Sequence, residues 1–394
     1  MSQASQRYFT TIIKSGGFTD QLYQFSTFYK LGLSLGLQYL YTPFQSERTS
    51  SGFDVYEFLG FTEAFGRVPP GGELIPRDIE FDDQAIQSKG ISSFQELREY
   101  TIEKINETEA LVSEQTTVFR FSLLLGNGRG FFDHVQMTFP YWPESVDPMS
   151  SYRMARKASP WRSRFSDAPL KMVVHMRQGD TALLPTPWGT FLPLFKLRVR
   201  DAVQLRSDRE AAKEYISPAE YRRLILHIQE LLNPERLSVL CFSDGYDRAF
   251  AKALSDRNIR RFGLTDAEVA ALSQSRIGFD ERAFQSLETL PNCTAIIGEG
   301  DDNLRDLICS TLSADIIVIG TQQRMLPKLI ASYYELDKPK IFVVLHKGTE
   351  KPRYDILGLT PEKALCVYHD VEKDDRPRLF ESLRACLEKL GAAT

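Results

Sequence analysis

The sequence predicts an α/β protein built from parallel β-α-β units, and three observations carry that expectation. Apolar, β-branched runs alternate with segments of helical period through the C-terminal half. Between the first two core runs lies a segment opening Ser217-Pro218-Ala219-Glu220, where Ser caps, Pro takes the first helical position and Glu completes a capping box. Near the N-terminus a strand-type run, 8–13, enters Ser15-Gly16-Gly17 and then a segment with Leu22, Phe25, Phe28 and Tyr29 at helical spacing.

In the C-terminal half the expected strands are 172–176, 237–242, 294–297, 315–319 and 341–345. The capped helix shows Tyr221, Leu224, Ile225, Ile228, Leu231 and Leu232 on one stripe, the pattern of a face packed on a sheet. Asp301 or Asp302 is expected to cap a second helix reaching Ser313. Leu326, Ile330 and Tyr333 mark a third, and 376–390 reads as a terminal amphipathic helix. In the N-terminal half a helix continuing toward Leu35, a strand near 38–41, a helix over 93–113 and a strand over 121–125 are expected. Residues 44–86, rich in Gly, Pro and Phe, read as loops with short elements. Residues 141–169 read as the interdomain connection, giving an N-terminal domain with linker over 1–168 and a nucleotide-binding domain over 169–394.

Bulk properties narrow the function. The chain has 394 residues, 42% hydrophobic and 25% charged, which fits about two globular domains. A formal charge of −4 gives no general attraction to nucleic acid or acidic membranes. No apolar run reaches the roughly 18–20 residues of a membrane span. The first residues lack the basic and apolar regions of a signal peptide. Five cysteines are scattered without a Cys-x-x-Cys, and Cys241, Cys293 and Cys309 read as buried thiols, so a reducing cytoplasm is expected.

Polar groups gathered where a buried strand surfaces are costly to desolvate and point to a ligand. The chain has four such places. His175-Met176-Arg177-Gln178-Gly179-Asp180 ends the first core strand. Arg177 offers a fixed-charge fork suited to phosphate oxygens, His175 projects to the same side of an extended strand, and Gly179 allows close backbone approach. An ion pair between Arg177 and Asp180 is the plainer reading. Gly16-Gly17, between strand and helix, leaves backbone N–H groups free as an anion site. Ser243-Asp244-Gly245 ends the second core strand: Asp244 either accepts from the ring N–H and exocyclic amine of a guanine or forms a turn with Ser243 and Asp247. Gly320-Thr321-Gln322-Gln323 leads a buried strand into a helix.

His-x-Arg-x-Gly-Asp resembles the phosphate-binding motif of the metal-independent fucosyltransferase superfamily. The run Gly16-Gly17-Phe18-Thr19-Asp20-Gln21-Leu22-Tyr23-Gln24-Phe25 is similar, in order and register, to that superfamily's Gly-Gly-Leu-x-Asn-Gln-Leu/Met opening. Asp20 replaces the usual Asn; it reads as a potential base or as a helix cap, with capping preferred. Phe242-Ser243-Asp244 resembles the superfamily's Phe-Ser-Asp-Asp segment. At Thr321 one hydroxyl of the usual Ser-Ser-Phe-Ser is kept, whereas Gln322, Gln323 and Arg324 depart, reflecting a different donor sugar or a damaged site.

The resemblance implies two Rossmann-like domains facing across a cleft, the GT-B arrangement, with acceptor on the N-terminal side and a guanosine-diphosphate sugar on the C-terminal side. It implies inverting transfer of a deoxysugar, fucose foremost, to the hydroxyl of a glycan, protein or small molecule, with no cofactor and no metal. Arg177 would stabilise the leaving diphosphate and Asp20 or Asp180 would act as base. Gly16, Gly17, His175, Ser243, Asp244, Thr321 and Gln322 would hold the donor. Another GDP- or dTDP-deoxysugar, or a non-catalytic nucleotide-binding relative, remains the alternative. The sequence carries neither an Asp-x-Asp triplet nor a G-x-x-x-x-G-K-[ST] loop. Gly126-Asn127-Gly128-Arg129-Gly130 reads as a plain loop. The basic run Arg153, Arg156, Lys157, Arg162 and Arg164 reads as a solvated linker in preference to an acceptor contact.

Overall fold

A computed structural model describes residues 7–12, 25, 27–29, 31–40, 74–91, 93–109, 117–124, 164–176, 183–185, 191–193, 216–243, 265–267, 269–270, 285–297, 301–320, 339–348 and 364–391. Contacts divide the chain into two units. One comprises Met1–Pro160, Met325–Glu335 and Arg353–Leu359; the other comprises Trp161–Arg324, Leu336–Pro352 and Thr360–Thr394.

The first unit holds a four-stranded sheet of β1 (Tyr8–Ile12), β2 (Gln38–Tyr39), β3 (Ile75–Asp82) and β4 (Thr117–Leu124), in the order β2-β1-β4-β3. Every pairing is parallel. Helices α1 (Asp83–Ser88) and α2 (Phe94–Glu109) follow β3, and the described residues between 25 and 34 are helical. The core is aromatic. Phe9 lies 5.5 Å from Phe121, ring to ring, and Phe81 meets Phe121 edge-on at 5.8 Å, with Phe25, Phe28, Tyr29 and Tyr39 around them. Rings at these separations add edge and offset-stacking energy to their burial.

β3 corrects the reading of residues 44–86 as loops with short elements. It is a full eight-residue strand, paired along its length with β4. Its signal is the alternation of buried Ile79 and Phe81 with exposed Asp78 and Glu80, which Pro76 and the glycines upstream obscure. As an edge strand it tolerates Pro76 and turns charge outward, which discourages edge-to-edge pairing.

The second unit holds a six-stranded sheet of β5 (Leu170–Met176), β8 (Leu237–Ser243), β9 (Cys293–Ile297), β10 (Ile316–Gly320), β11 (Lys340–His346) and β12 (Ala364–Asp370). A two-stranded ribbon, β6 (Leu183–Pro185) with β7 (Phe191–Pro193), lies between β5 and β8 in sequence. All five pairings of the large sheet are parallel, in the order β12-β11-β10-β5-β8-β9. Numbered from β5, these strands run 3-2-1-4-5-6 across the sheet, the order of the doubly wound dinucleotide-binding folds. The five expected strands are all present within two residues of their expected ends; β12 was not expected.

Both faces of this sheet are covered, as a parallel sheet requires. Met172, Val174, Val239, Ile316, Val318, Val343 and Val367 share a core with α3 (Pro218–Leu232) and with the terminal helix, here α5 (Arg376–Lys389). The alternate residues Val173, His175, Leu240, Phe242, Ile317 and Ile319 face the other side, where α4 (Asp301–Ser313) crosses β5 and β8. α4 reaches Ser313 as expected, with Asp301 and Asp302, one of which was expected as its cap, both inside the first turn; the helix expected around Leu326, Ile330 and Tyr333 lies outside the described residues. α3 starts through the reciprocal box read from the sequence: Glu220 N–H donates to Ser217 Oγ at 3.3 Å, and Ser217 N–H donates to Glu220 Oε2 at 2.5 Å.

Candidate functional site

Ligands of doubly wound sheets bind beyond the carboxyl ends of the strands, where the strand order reverses. Here the reversal falls between β5 and β10. Register aligns His175 of β5 with Ile319 of β10 on one side and with Phe242 of β8 on the other, and Met176 with Ser243. Adjacent strands lie about 4.8 Å apart. The ends from which Arg177, Thr321 and Asp244 continue in sequence are therefore neighbours on one rim, although these motifs are far apart along the chain.

Of the site residues singled out, His175 and Ser243 belong to the described residues. His175 is 8% exposed and Ser243 is 4% exposed, both at the carboxyl rim. Gly16, Gly17, Asp20, Arg177, Asp180, Asp244, Thr321 and Gln322 lie outside the described residues. Gly16 and Gly17 follow β1, whose last residue, Ile12, pairs with Ser122 of β4.

The N-terminus of α3 is closed to anions. In dinucleotide-binding folds the first crossover helix points its free N–H groups at the pyrophosphate. In α3, Pro218 has no N–H, the Glu220 N–H is taken by Ser217 Oγ, and the Glu220 carboxylate sits at the positive end of the helix. A phosphate placed there would meet the Glu220 carboxylate, already paired with Lys347, and few free donors. The capping box, legible in the sequence as a helix start, thus also argues against dinucleotide-style binding at this helix.

Tyr221, Glu220 and Lys347, which the sequence did not assign to the site, lie beside the switch point at Gly320. Gly320 ends β10 with its backbone against α3: a Cβ added there would be 3.0 Å from Tyr221 Oη and 3.4 Å from Ile216 Cγ1. Lys347, just past β11, donates to Glu220 Oε1 at 3.1 Å, and both side chains are 16% exposed. Tyr221 is legible in the sequence only as part of the apolar stripe of α3, and Lys347 not at all, because their place here comes from contacts between distant segments.

A second polar cluster lies where α3, β12 and the start of α5 meet. Asp374 Oδ1 is 3.7 Å from His227 Nδ1 and 3.5 Å from His369 Nε2, and its other oxygen is 3.4 Å from Arg223. Burial pushes both imidazoles below the usual histidine range, although Asp374 pulls them up. On β11, His346 Nδ1–H donates to the Gly348 carbonyl at 2.9 Å. At the opposite, amino edge, Lys340 donates to the carbonyls of Leu312 and Ala314 that end α4. Burial pushes its ammonium down to about 8, against the pull of Asp315. Among the described residues no group of three or more His, Cys, Asp or Glu is placed to hold a metal ion, and no helix is long and apolar enough to cross a membrane.

The thiols expected to be buried are so for Cys241 and Cys309, while Cys293 is half-buried and its Sγ lies 3.5 Å from that of Cys241. Arg164, in the stretch read as a solvated linker, pairs with Asp306 of α4 at 2.6 Å.

Fold and rim together define an α/β protein with two parallel sheets, the second doubly wound. No family model matches the chain, and no curated protein matches it. Solved structures of similar outline include E. coli ADP-heptose lps heptosyltransferase II, 10% identical, covering 97% of this chain and 98% of that one at a TM-score of 0.38. POFUT1 in complex with GDP is 10% identical, covering 80% and 92%, at 0.34. A UDP-forming α,α-trehalose-phosphate synthase from Burkholderia vietnamiensis is 12% identical, covering 98% and 66%, at 0.25. At TM-scores this low the likenesses carry neither a substrate nor a mechanism over to this chain.

Proposed function

We propose that this protein is a glycosyltransferase of GT-B type that moves a deoxysugar, fucose from GDP-fucose foremost, onto an acceptor hydroxyl with inversion and without a metal. The observation that supports it best is the strand order. It sets the ends leading into the Arg177, Thr321 and Asp244 motifs side by side, while the N-terminus of α3 is occupied by its own capping box.

In this reading the acceptor oxygen attacks the anomeric carbon as the bond from that carbon to the diphosphate oxygen breaks. Its proton passes to a carboxylate, Asp20 or Asp180. Negative charge grows on the departing diphosphate, and the Arg177 guanidinium neutralises it where other enzymes use a divalent cation. His175 and Thr321 hold the nucleotide and its phosphates, Gly16 and Gly17 offer backbone N–H groups, Gln322 adds an amide, and Ser243 with Asp244 reads the guanine edge. The acceptor is the hydroxyl of a glycan, protein or small molecule.

Calorimetric titration with GDP, UDP, dTDP and ADP tests the donor: tight GDP and feeble binding of the others is expected, and equal binding of all four overturns the guanine assignment. Arg177→Ala should lower transfer, or donor hydrolysis without acceptor, by about 10²–10³-fold while leaving the circular dichroism unchanged. Full turnover in that variant removes Arg177 from the chemistry. The departures at Gln322, Gln323 and Arg324 favour one other reading, a nucleotide-binding relative without activity. GDP binding with no hydrolysis of any GDP-sugar would select it.

A further inference from the structure

We propose that Tyr221, Glu220 and Lys347 form a strut that fixes the backbone where β10 ends, making them positioning residues for the nucleotide rim. The inference rests on the reading of that rim as a donor site and names residues that act on it through Gly320.

Gly320 lies at the strand-order reversal, and its φ is not in the left-handed region, so what limits a side chain there is space. The space is taken by Tyr221 Oη and Ile216 Cγ1. Both are fixed walls, since Tyr221 is 2% exposed and Ile216 is buried. Tyr221 sits in the first turn of α3, next to Glu220, whose Oε2 accepts from Ser217 N–H within the capping box. The other carboxylate oxygen, Oε1, accepts from Lys347, which follows β11. β11 pairs with β10, Gly320 opposite Leu345.

The contacts close a ring. From β10 it passes through Tyr221 to the first turn of α3, through Glu220 to Lys347, and along β11 back to β10. Ser217 and Glu220 cap the helix without help from Lys347. A largely desolvated ion pair contributes little net stability against an apolar replacement, and fixing geometry is its better-attested use. What the ring fixes is the lateral position and height of the β10 end beside β5, on which phosphate contacts made just beyond Gly320 depend.

The test uses the full chain with Lys347→Met, which keeps the aliphatic stem, and with Gly320→Ala, Tyr221→Phe and the double variant Gly320→Ala/Tyr221→Phe. Lys347→Met should speed amide hydrogen exchange at Ile319 and Gly320 about tenfold, leave Ile317 unchanged, and weaken GDP binding by a similar factor in calorimetry. Gly320→Ala should weaken GDP binding about tenfold. The double variant should recover most of that loss, because removing the tyrosine hydroxyl makes room for the new methyl. Loss and rescue of binding at an unchanged melting temperature separate positioning of the rim from a packing defect that only weakens the fold.

Unchanged exchange at Gly320 in Lys347→Met overturns the strut. So does Gly320→Ala binding GDP like the wild type, or a melting temperature that falls with no change in affinity. If the wild-type chain binds none of GDP, UDP, dTDP and ADP, the donor reading fails. The exchange measurement, which needs no nucleotide, still decides whether the ring fixes the β10 end.

Discussion

Gly32 and Lys340 each show how one side chain, or its absence, governs a packing joint. At Gly32 an added Cβ would sit 2.5 Å from Phe9 Cε1 and Cε2. Phe9 is fully buried, with Tyr39, Phe121 and Tyr29 at ring distances of 5.1, 5.5 and 6.1 Å, so its ring cannot swing aside. Gly32→Ala should therefore destabilise the first unit by about 1–3 kcal/mol in urea denaturation, the range for overpacking a tight core. A stability equal to wild type would show that the helix carrying Gly32 can back away from β1. At Lys340 the folded ammonium titrates at about 8, below the roughly 10.4 of an unfolded lysine. Between those values the unfolded chain holds more protons, so this group's contribution to stability rises with pH across that window. Subtracting the stability of Lys340→Met from that of wild type at pH 7.5 and 9.5 should give a larger difference at the higher pH. A flat difference would mean that the ammonium reaches solvent.

Elements meet most sensitively where α5 docks. Leu379, Leu383 and Leu387 bury one stripe of the helix in the core of the large sheet, at about 1.5–3 kcal/mol each. Its entry turn is held by Asp374, in a left-handed conformation at φ 48, between His227 of α3 and His369 of β12. Asp374 faces both imidazoles, with Arg376 and Arg223 beside His227, and His227 and His346 beside His369. Glu230 pairs with Arg376, and Lys373 with Asp370. Both imidazoles have lowered proton affinity in the fold, so the stability they contribute is present above the unfolded value, about 6.5, and is lost as pH falls below it. Wild type should lose stability between pH 6.5 and 5 more steeply than His369→Gln, followed by thermal unfolding across that range. Parallel curves would assign the acid sensitivity to other groups.

For the whole molecule, the large sheet was legible because each of its inner strands is an unbroken apolar run between breakers. Ile316–Gly320 and Lys340–His346 are buried at every position, as strands covered on both faces must be. β3 was not legible, since its exposed Asp78 and Glu80 make the sequence resemble a charged loop; nor was β12, although its sequence is largely apolar. The doubly wound order was not legible either. It depends on where crossovers land, and no local pattern records that β10 returns to the far side of β5. The candidate site follows the same division. Strand-end motifs are visible as polar residues after apolar ones, so the sequence could put His175 and Ser243 at strand ends, where the structure has them. Tyr221 and Lys347 owe their place to register between distant segments, and an Oη facing a missing Cβ leaves no trace in one sequence.

The middle position of β5 sets a schedule for synthesis. This strand leaves the ribosome before every other strand of its sheet, yet it needs neighbours on both sides. Its β8 flank can be covered once Ser243 has been made, whereas the other flank waits for Ile316–Gly320. Through that interval an apolar edge rich in Val and Met stands open, and such edges invite association with other chains. A nascent chain halted before residue 316 should therefore be a strong client for holdase chaperones, and release should coincide with the arrival of β10.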